Sequence, residues 1–206
     1  MKQQPRATVK TGPVAGSVIS TFGHGTRSLD EMAALLSEFG IDVVADVRRF
    51  PGSRRHPHTA REVLAASLPE RGIAYEWWGD ELGGRRSPRP GSPNDGWNEA
   101  AFQGFADHMD SPGFIGARDR LIERSMTDAM AIMCAETLWW RCHRRLIADA
   151  LHVAGVAVTH ILSSGDARPH QPTAFLVVED GRLLYPATAA LFGPDATSTA
   201  TESEGS

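Results

Sequence analysis

The sequence predicts a single α/β domain with a mostly parallel, doubly wound (Rossmann-like) sheet and helices on both faces. Short apolar runs of strand length alternate with segments whose apolar residues recur at the three- and four-residue spacing of an amphipathic helix. With 206 residues and 41% hydrophobic composition, the chain is long enough to bury the core of one domain. Repeated strand–helix units favour parallel strands that are joined by crossover helices.

The N-terminal half predicts three strands and two helices. The strands are apolar runs, and they span 17–22, 41–47 and 73–78. Ser28 and Glu31 form a Ser-x-x-Glu capping box that starts a helix, and Gly40 ends that helix. Thr59 and Glu62 form a second capping box, so we expect another helix before the third strand.

The C-terminal half begins with a segment rich in glycine, proline and arginine at 79–96, which predicts a long loop. Two helices follow between 98 and 124, and Pro112 suits the first position of the second one. The remaining elements are a strand at 129–133, a helix after His143, a strand at 156–162 and a hairpin at 175–185. We expect the domain to span 17–186, with a flexible segment at 1–16 and a disordered tail at 187–206.

Composition excludes several classes of protein. The net charge of −4 argues against a protein that coats nucleic acid through general positive charge. Two cysteines are too few for a disulfide framework, and no segment reaches the ~18 apolar residues of a membrane span. The N-terminus also lacks the apolar core of a signal peptide, so we expect a cytoplasmic protein that does not bind membranes. The sequence leaves the oligomeric state open.

Each predicted strand is followed by a polar cluster. The clusters are 24–27, 46–56, 81–86, 134–144 and 163–166. Because the carboxyl ends of parallel strands lie along one edge of a sheet, we expect these clusters to converge on one site. The fourth cluster is the richest, since it holds both cysteines, an acid, a histidine and two arginines where a strand leads into a helix.

The side chains of these clusters are suited to acid/base and nucleophilic chemistry. The predicted catalytic residues are Cys134, Glu136, Asp46, His24 and Cys142. A thiol near a helix N-terminus and beside arginine can have a lowered pKa and act as a nucleophile, and carboxyl groups at strand ends can act as acid or base. An alternative is that Asp46 only neutralises Arg48, and Glu136 only neutralises Arg141.

Arginines dominate the basic residues, because only two of the 21 are lysines. Arginine holds carboxylate and phosphate with paired hydrogen bonds, and tryptophan can stack a nucleobase. We therefore expect an anionic, nucleotide-like or nucleic-acid-like partner. The predicted substrate-binding residues are Arg48, Arg49, Arg141, His143, Arg144, Thr26 and Glu81.

The two thiols allow four interpretations that the sequence leaves open. Cys134 or Cys142 can be a nucleophile, although the glycine-rich C-x5-R loop of cysteine phosphatases is absent. They can bind zinc with histidine, although their spacing is not a standard zinc motif. They can form a redox pair if their Cα atoms lie within ~7 Å, or Cys134 can be a buried apolar residue. Our assignment includes no cofactor or metal ligand.

Several motifs carry a family resemblance. The segments GHGTRS, DVRRFPGSRRHPH, ELGGRR and GWNEAAFQGFADHM, with MCAE followed by RCHRRLIADAL, resemble the family known as domain of unknown function 488. The resemblance extends from about 17 to 163, and the CAE and CHR segments are its signature. It implies an α/β domain whose polar motifs converge, and it brings no activity with it.

These observations predict an enzyme that acts on an anionic, nucleotide-like substrate in an arginine-lined pocket at the strand carboxyl ends. Two alternatives remain. One is a non-catalytic module that grips nucleic-acid phosphates and loses affinity steeply with salt. The other is an interaction domain that depends on zinc or on its thiols, which elemental analysis for metal would test.

Overall fold

The computed structural model describes residues 18–52 and 54–187, in which a six-stranded sheet is accompanied by a short hairpin. The strands are β1 (Val18–Gly23), β2 (Val43–Asp46), β3 (Ala74–Trp77), β4 (Met130–Cys134), β5 (Ala157–Ser163), β6 (Asp166–Pro169), β7 (Val177–Glu179) and β8 (Arg182–Leu184). The sheet order is β3-β2-β4-β1-β5-β6. The first five strands in this order are parallel, and β6 is antiparallel. The predicted α/β class with a mostly parallel sheet is therefore confirmed.

Helices connect the strands and cover both faces of the sheet. They are α1 (Leu29–Glu38), α2 (Arg61–Ser67), α3 (Gly79–Leu82), α4 (Ala100–His108), α5 (Pro112–Arg124) and α6 (Arg144–Val153). Side chains alternate along a strand, so neighbouring residues point to opposite faces of the sheet. On one face Val44 and Ala131 pack with α1 and α2. On the other face Val43 and Ile132 pack with α4, α5 and α6. Cys134 belongs to the second core.

The start of α1 has the predicted capping box. The Ser28 Oγ accepts a hydrogen bond from the Glu31 amide at 3.2 Å, and the Glu31 carboxylate accepts one from the Ser28 amide at 2.7 Å. The two bonds satisfy amides that the first helical turn leaves without partners.

We expect Ser28→Ala to lower the free energy of unfolding by about 1 kcal/mol, because the Glu31 amide loses its acceptor. Urea denaturation monitored by circular dichroism measures this change. Ser125 lies at the C-terminal end of α5 and caps no helix start. Ser125→Ala therefore serves as the matched control, and we expect it to cause a smaller loss of stability. Equal losses in the two variants would contradict the capping role.

Three local predictions are wrong. Thr59 caps no helix, because its hydroxyl donates to the His56 carbonyl in a 3-10 turn, and α2 begins at Arg61 without a side-chain cap. The predicted loop at 79–96 contains α3. The fifth polar cluster is the turn between β5 and β6, a hairpin that the sequence analysis did not anticipate.

The other elements agree with the prediction. The hairpin of β7 and β8 turns at Asp180 and Gly181, both of which have positive φ angles. None of the helices in the described ranges is long and apolar enough to cross a membrane. The predicted segment 1–16, and all but the first residue of the predicted tail 187–206, lie outside the described residues.

Candidate functional site

A small cavity lies where β2 and β4 end. These strands are adjacent and parallel, with Asp46 opposite Met133, so the loops that leave them face each other. The cavity has a volume of about 150 Å³. Its lining residues are Arg48, Arg49, Phe50, Gly84, Arg85, Cys134, Ala135 and His143. Three of the five polar clusters therefore converge here, as expected for the carboxyl edge of a parallel sheet.

The Cys134 thiol and the His143 imidazole line this cavity, and the Cys142 thiol lies beside them without lining it. The Nδ1 atom of His143 lies 3.7 Å from Sγ of Cys142 and 4.0 Å from Sγ of Cys134. The three ligand-type atoms all lie within 4.8 Å of one another. Cys134 comes from the end of β4, and the other two directly precede α6, so residues eight positions apart meet through the loop between these elements.

The imidazole of His143 has a fixed orientation. Its Nε2 lies 3.2 Å from the Val47 carbonyl oxygen, which only accepts hydrogen bonds, so Nε2 carries a hydrogen. The Phe105 ring packs edge-on against the imidazole with ring centroids 5.0 Å apart. These contacts direct Nδ1 toward both sulfur atoms.

The two thiols share one environment but differ in acidity. A hydrogen bond to Cys142, followed by burial, raises the pKa of the Cys134 thiol. The same hydrogen bond lowers the pKa of Cys142, and the nearby His143 lowers it further. The pair therefore favours a proton on Cys134 and a negative charge on Cys142.

Arg48 is a buried cation that three groups hold in place: Asp46, the Thr59 carbonyl and His24. Its side chain is 7% exposed, and it forms a two-pronged ion pair with the fully buried Asp46, whose Oδ2 lies 2.6 Å from Nη2. The Tyr75 hydroxyl donates to the same carboxylate at 2.7 Å, and the Thr59 carbonyl accepts from Arg48 at 2.9 Å. Burial and the negative charge of Asp46 raise the pKa of Tyr75, so the phenol remains a donor. The neutralising pair that the sequence analysis offered as an alternative for Asp46 is therefore present.

His24 lies behind Arg48. Its Nε2 accepts a hydrogen bond from Arg48 Nη1 at 3.0 Å, and its Nδ1 donates to the Gly25 carbonyl at 3.0 Å. Burial and then the charge of Arg48 lower the pKa of His24 to about 4. At neutral pH the imidazole is thus uncharged, and it supports Arg48 from outside the cavity lining.

The mouth of the cavity carries exposed groups. Arg49 is half-buried, donates to the Arg85 carbonyl at 3.3 Å and lies over the Phe50 ring. Arg85 is exposed and holds a positive φ of 59°, and Phe50 is 63% exposed. The predicted substrate-binding residues did not include Arg85 or Phe50, although both lie in the predicted polar clusters.

Of the twelve predicted site residues, eight do not line the cavity. Asp46, His24 and Cys142 contact residues that do, and Arg144 is buried, whereas the side chains of the other four lie elsewhere. Thr26 and Arg141 are exposed elsewhere, and Glu81 pairs with Arg120 at 3.5 Å. The Glu136 side chain is exposed and accepts from the Leu138 amide at 3.1 Å, and this hydrogen bond takes the place of the expected pairing with Arg141. What the loop of Glu136 contributes is its backbone, whose carbonyl accepts from Arg144.

Arg144 lies beneath the cavity and ends a buried polar chain that the sequence analysis missed. It is 1% exposed, and its Nη1 donates to the Thr21 hydroxyl at 3.4 Å. Thr21 bonds to His160 at 2.7 Å, and His160 bonds to His170 at 3.0 Å. Asp149, which accepts from His170 at 3.0 Å, completes the chain. A histidine inside the apolar run of β5 was the available signal.

The comparisons with known proteins identify a family. A family model described as "Domain of unknown function DUF488" matches residues 28–151, more than half of the chain. The chain belongs to the DUF488 family. No curated protein matches it, and no solved structure matches it.

The DUF488 match includes every residue that lines the cavity, because all of them lie between Arg48 and His143. Two groups of supporting residues lie outside the match. The first is His24, which lies between two glycines after β1. The second is the pair of His160 on β5 and His170, which directly follows β6. In this DUF488 protein, the cavity therefore falls within the family region, and part of its support does not.

Proposed function

We propose that the protein is an enzyme that acts on a phosphate-bearing, nucleotide-like substrate, with the anionic group bound in the cavity. The observation that carries this proposal is the convergence of a thiol, an imidazole and three arginines on one small space. Arginine is the residue best suited to bind phosphate oxygens through paired hydrogen bonds.

The size of the cavity supports a substrate that enters only in part. Pockets that enclose drug-sized ligands are typically ~300–1,000 Å³. The volume of about 150 Å³ suits a phosphate-sized group, so the rest of the substrate would remain at the mouth. There the exposed ring of Phe50 offers a face for a nucleobase, and such stacking contributes about 1–3 kcal/mol.

The roles of the residues follow from their positions. Cys134 Sγ attacks the phosphorus atom, the sulfur–phosphorus bond forms, and the bond from phosphorus to the leaving oxygen breaks. The proton of Cys134 passes to His143 Nδ1 and then to the leaving oxygen. Water then breaks the sulfur–phosphorus bond, which releases phosphate and restores the thiol. The 4.0 Å from Sγ to Nδ1 is long for proton transfer, as is common in unliganded sites.

Protection of Cys134 from alkylation tests this proposal. A nucleoside monophosphate added to metal-free protein should slow the reaction of iodoacetamide with Cys134, measured by mass spectrometry, whereas the unphosphorylated nucleoside should not. We expect Arg49→Ala to weaken this protection about tenfold, because one charged hydrogen bond is lost. Arg168→Ala, which removes an exposed arginine on β6, should leave protection unchanged.

An equal alkylation rate with and without the nucleotide would overturn the proposal. The salt dependence distinguishes the enzyme from a nucleic-acid-binding module. A module that contacts many phosphates loses about 10³–10⁵ in affinity between 50 and 200 mM salt. The cavity offers few arginines, so nucleotide protection should weaken only slightly over this range.

A further inference from the structure

We propose that Cys134, Cys142 and His143 form a zinc site with the fourth position open toward the arginine-lined cavity. This inference goes beyond the proposed function, because it concerns a metal that the three side chains hold in the absence of substrate. It rests on the distances among these side chains, on the hydrogen bond that orients the imidazole, and on the charge balance of the cluster.

The distances fit a tetrahedral zinc ion. With Zn–S of ~2.3 Å and Zn–N of ~2.0–2.1 Å, tetrahedral geometry separates sulfur from nitrogen by about 3.6 Å and sulfur from sulfur by about 3.8 Å. The observed distances from Nδ1 to the two sulfur atoms are 3.7 and 4.0 Å, and all three atoms lie within 4.8 Å of one another. The two sulfur–nitrogen distances would shorten by at most about 0.4 Å, and the sulfur–sulfur distance by at most about 1 Å, to reach the tetrahedral geometry.

The His143 imidazole already has the tautomer and orientation of a metal ligand. A histidine that binds a metal usually donates its second ring N–H to a carbonyl or carboxylate, which fixes the tautomer and the ring orientation. His143 does so through Nε2 to the Val47 carbonyl, so the unprotonated lone pair of Nδ1 points between the sulfur atoms. Gly84 packs against this ring, since a Cβ at that position would lie 2.9 Å from Nδ1.

Charge favours zinc over a harder ion. Two thiolates neutralise Zn²⁺, so the loaded site carries no net charge in a region that also holds the buried guanidinium of Arg144. Thiolate ligands select Zn²⁺ over Mg²⁺ and Ca²⁺, which prefer oxygen. Cys134 and His143 line the cavity, whereas Cys142 does not, so the fourth coordination position faces the cavity.

A bound zinc ion would occupy the sulfur that the proposed function uses as a nucleophile. The zinc-bound protein is therefore a form with blocked thiols, and removal of the metal exposes Cys134. Zinc and substrate then compete for the same site, which allows the two proposals to be tested separately.

Metal titration of the full chain tests the site. Protein treated with a chelator and a thiol reductant should bind one Zn²⁺ per chain, and Co²⁺ should give a thiolate-to-metal charge-transfer band with the intense visible bands of tetrahedral cobalt. Cys142→Ser and His143→Gln should each weaken zinc binding more than about 100-fold. This exceeds the effect of changing a residue that only bonds to a metal ligand. His152→Gln, which changes an exposed histidine on α6, should bind zinc normally.

A second measurement in the unaltered protein avoids dependence on the folding of the variants. Zn²⁺ should slow the alkylation of both cysteines, and a chelator should restore it. Three outcomes would overturn the zinc site. They are an absence of zinc binding, zinc binding that survives Cys142→Ser, and bound zinc that leaves the alkylation rates of the wild-type chain unchanged. Nucleotide protection of metal-free Cys134 would still stand in that case. If both proposals hold, Arg49→Ala should weaken this protection about tenfold and leave zinc binding unchanged.

Discussion

Replacement of Asp46 by Asn should lower the free energy of unfolding by about 3–5 kcal/mol. The carboxylate is the only counter-charge that pairs with buried Arg48 among the described ion pairs, and the substitution leaves that guanidinium buried without it. The hydroxyl of Tyr75 also loses its charged acceptor. Chemical denaturation at neutral pH measures the loss.

The chain contains a matched control for this prediction. Asp166 and Arg168 have the same two-residue spacing as the buried pair, but they are exposed on β6 with nitrogen and oxygen 3.2 Å apart. Asp166→Asn should therefore change stability by less than about 1 kcal/mol. In the double variant Asp46→Asn with Arg48→Met, part of the stability should return, because the unpaired buried charge is gone. Similar losses for Asp46→Asn and Asp166→Asn would contradict this account.

The stability of the protein should also fall between neutral and mildly acidic pH because of His160. This residue is 1% exposed, and burial, followed by the neighbouring His170 and Arg144, lowers its pKa from 6.5 to about 3. Below pH 6.5 the unfolded chain binds a proton that the folded chain does not, so folding becomes less favourable as the pH falls. At pH 5 the loss from His160 alone should be about 2 kcal/mol.

The pH dependence can be assigned to this ring with two variants. His160→Gln removes the titrating group, so the fall in stability between pH 7 and pH 5 should be smaller by about 2 kcal/mol, whatever the variant costs at pH 7. His152→Gln removes an exposed histidine and should retain the wild-type slope. A His160→Gln variant with an unchanged slope would show that other groups control acid stability.

Most of the fold was predictable because apolar periodicity and capping signals are local. The boundaries of α1, α4 and α5 follow from a capping box, from helical spacing and from Pro112. The short α3 was missed because one helical turn leaves no periodic pattern in a glycine-rich segment. The antiparallel β6 was missed because its residues are mostly exposed and polar, and only pairing with β5 makes them a strand.

The site was predictable in its location but less so in its members. Parallel topology places the polar clusters on one edge, and Arg48, Arg49, Cys134 and His143 line one cavity there. The sequence gives no indication of side-chain direction after a strand ends, so Glu81 and Glu136 were selected although they point elsewhere. It also could not show that Asp46 and His24 hold Arg48 rather than line the cavity.

The loop that carries both cysteines is shaped by strands that the family match does not cover. The amides of His24 and Gly25 donate to the carbonyls of Cys134 and Ala135, and Trp139 stacks on His160 with ring centroids 4.1 Å apart. A gene fragment trimmed to residues 28–151 would lack these contacts. Such a minimal fragment would retain the family signature but lose the contacts that position its cysteines. A gene for expression should therefore begin before β1 and end after β6.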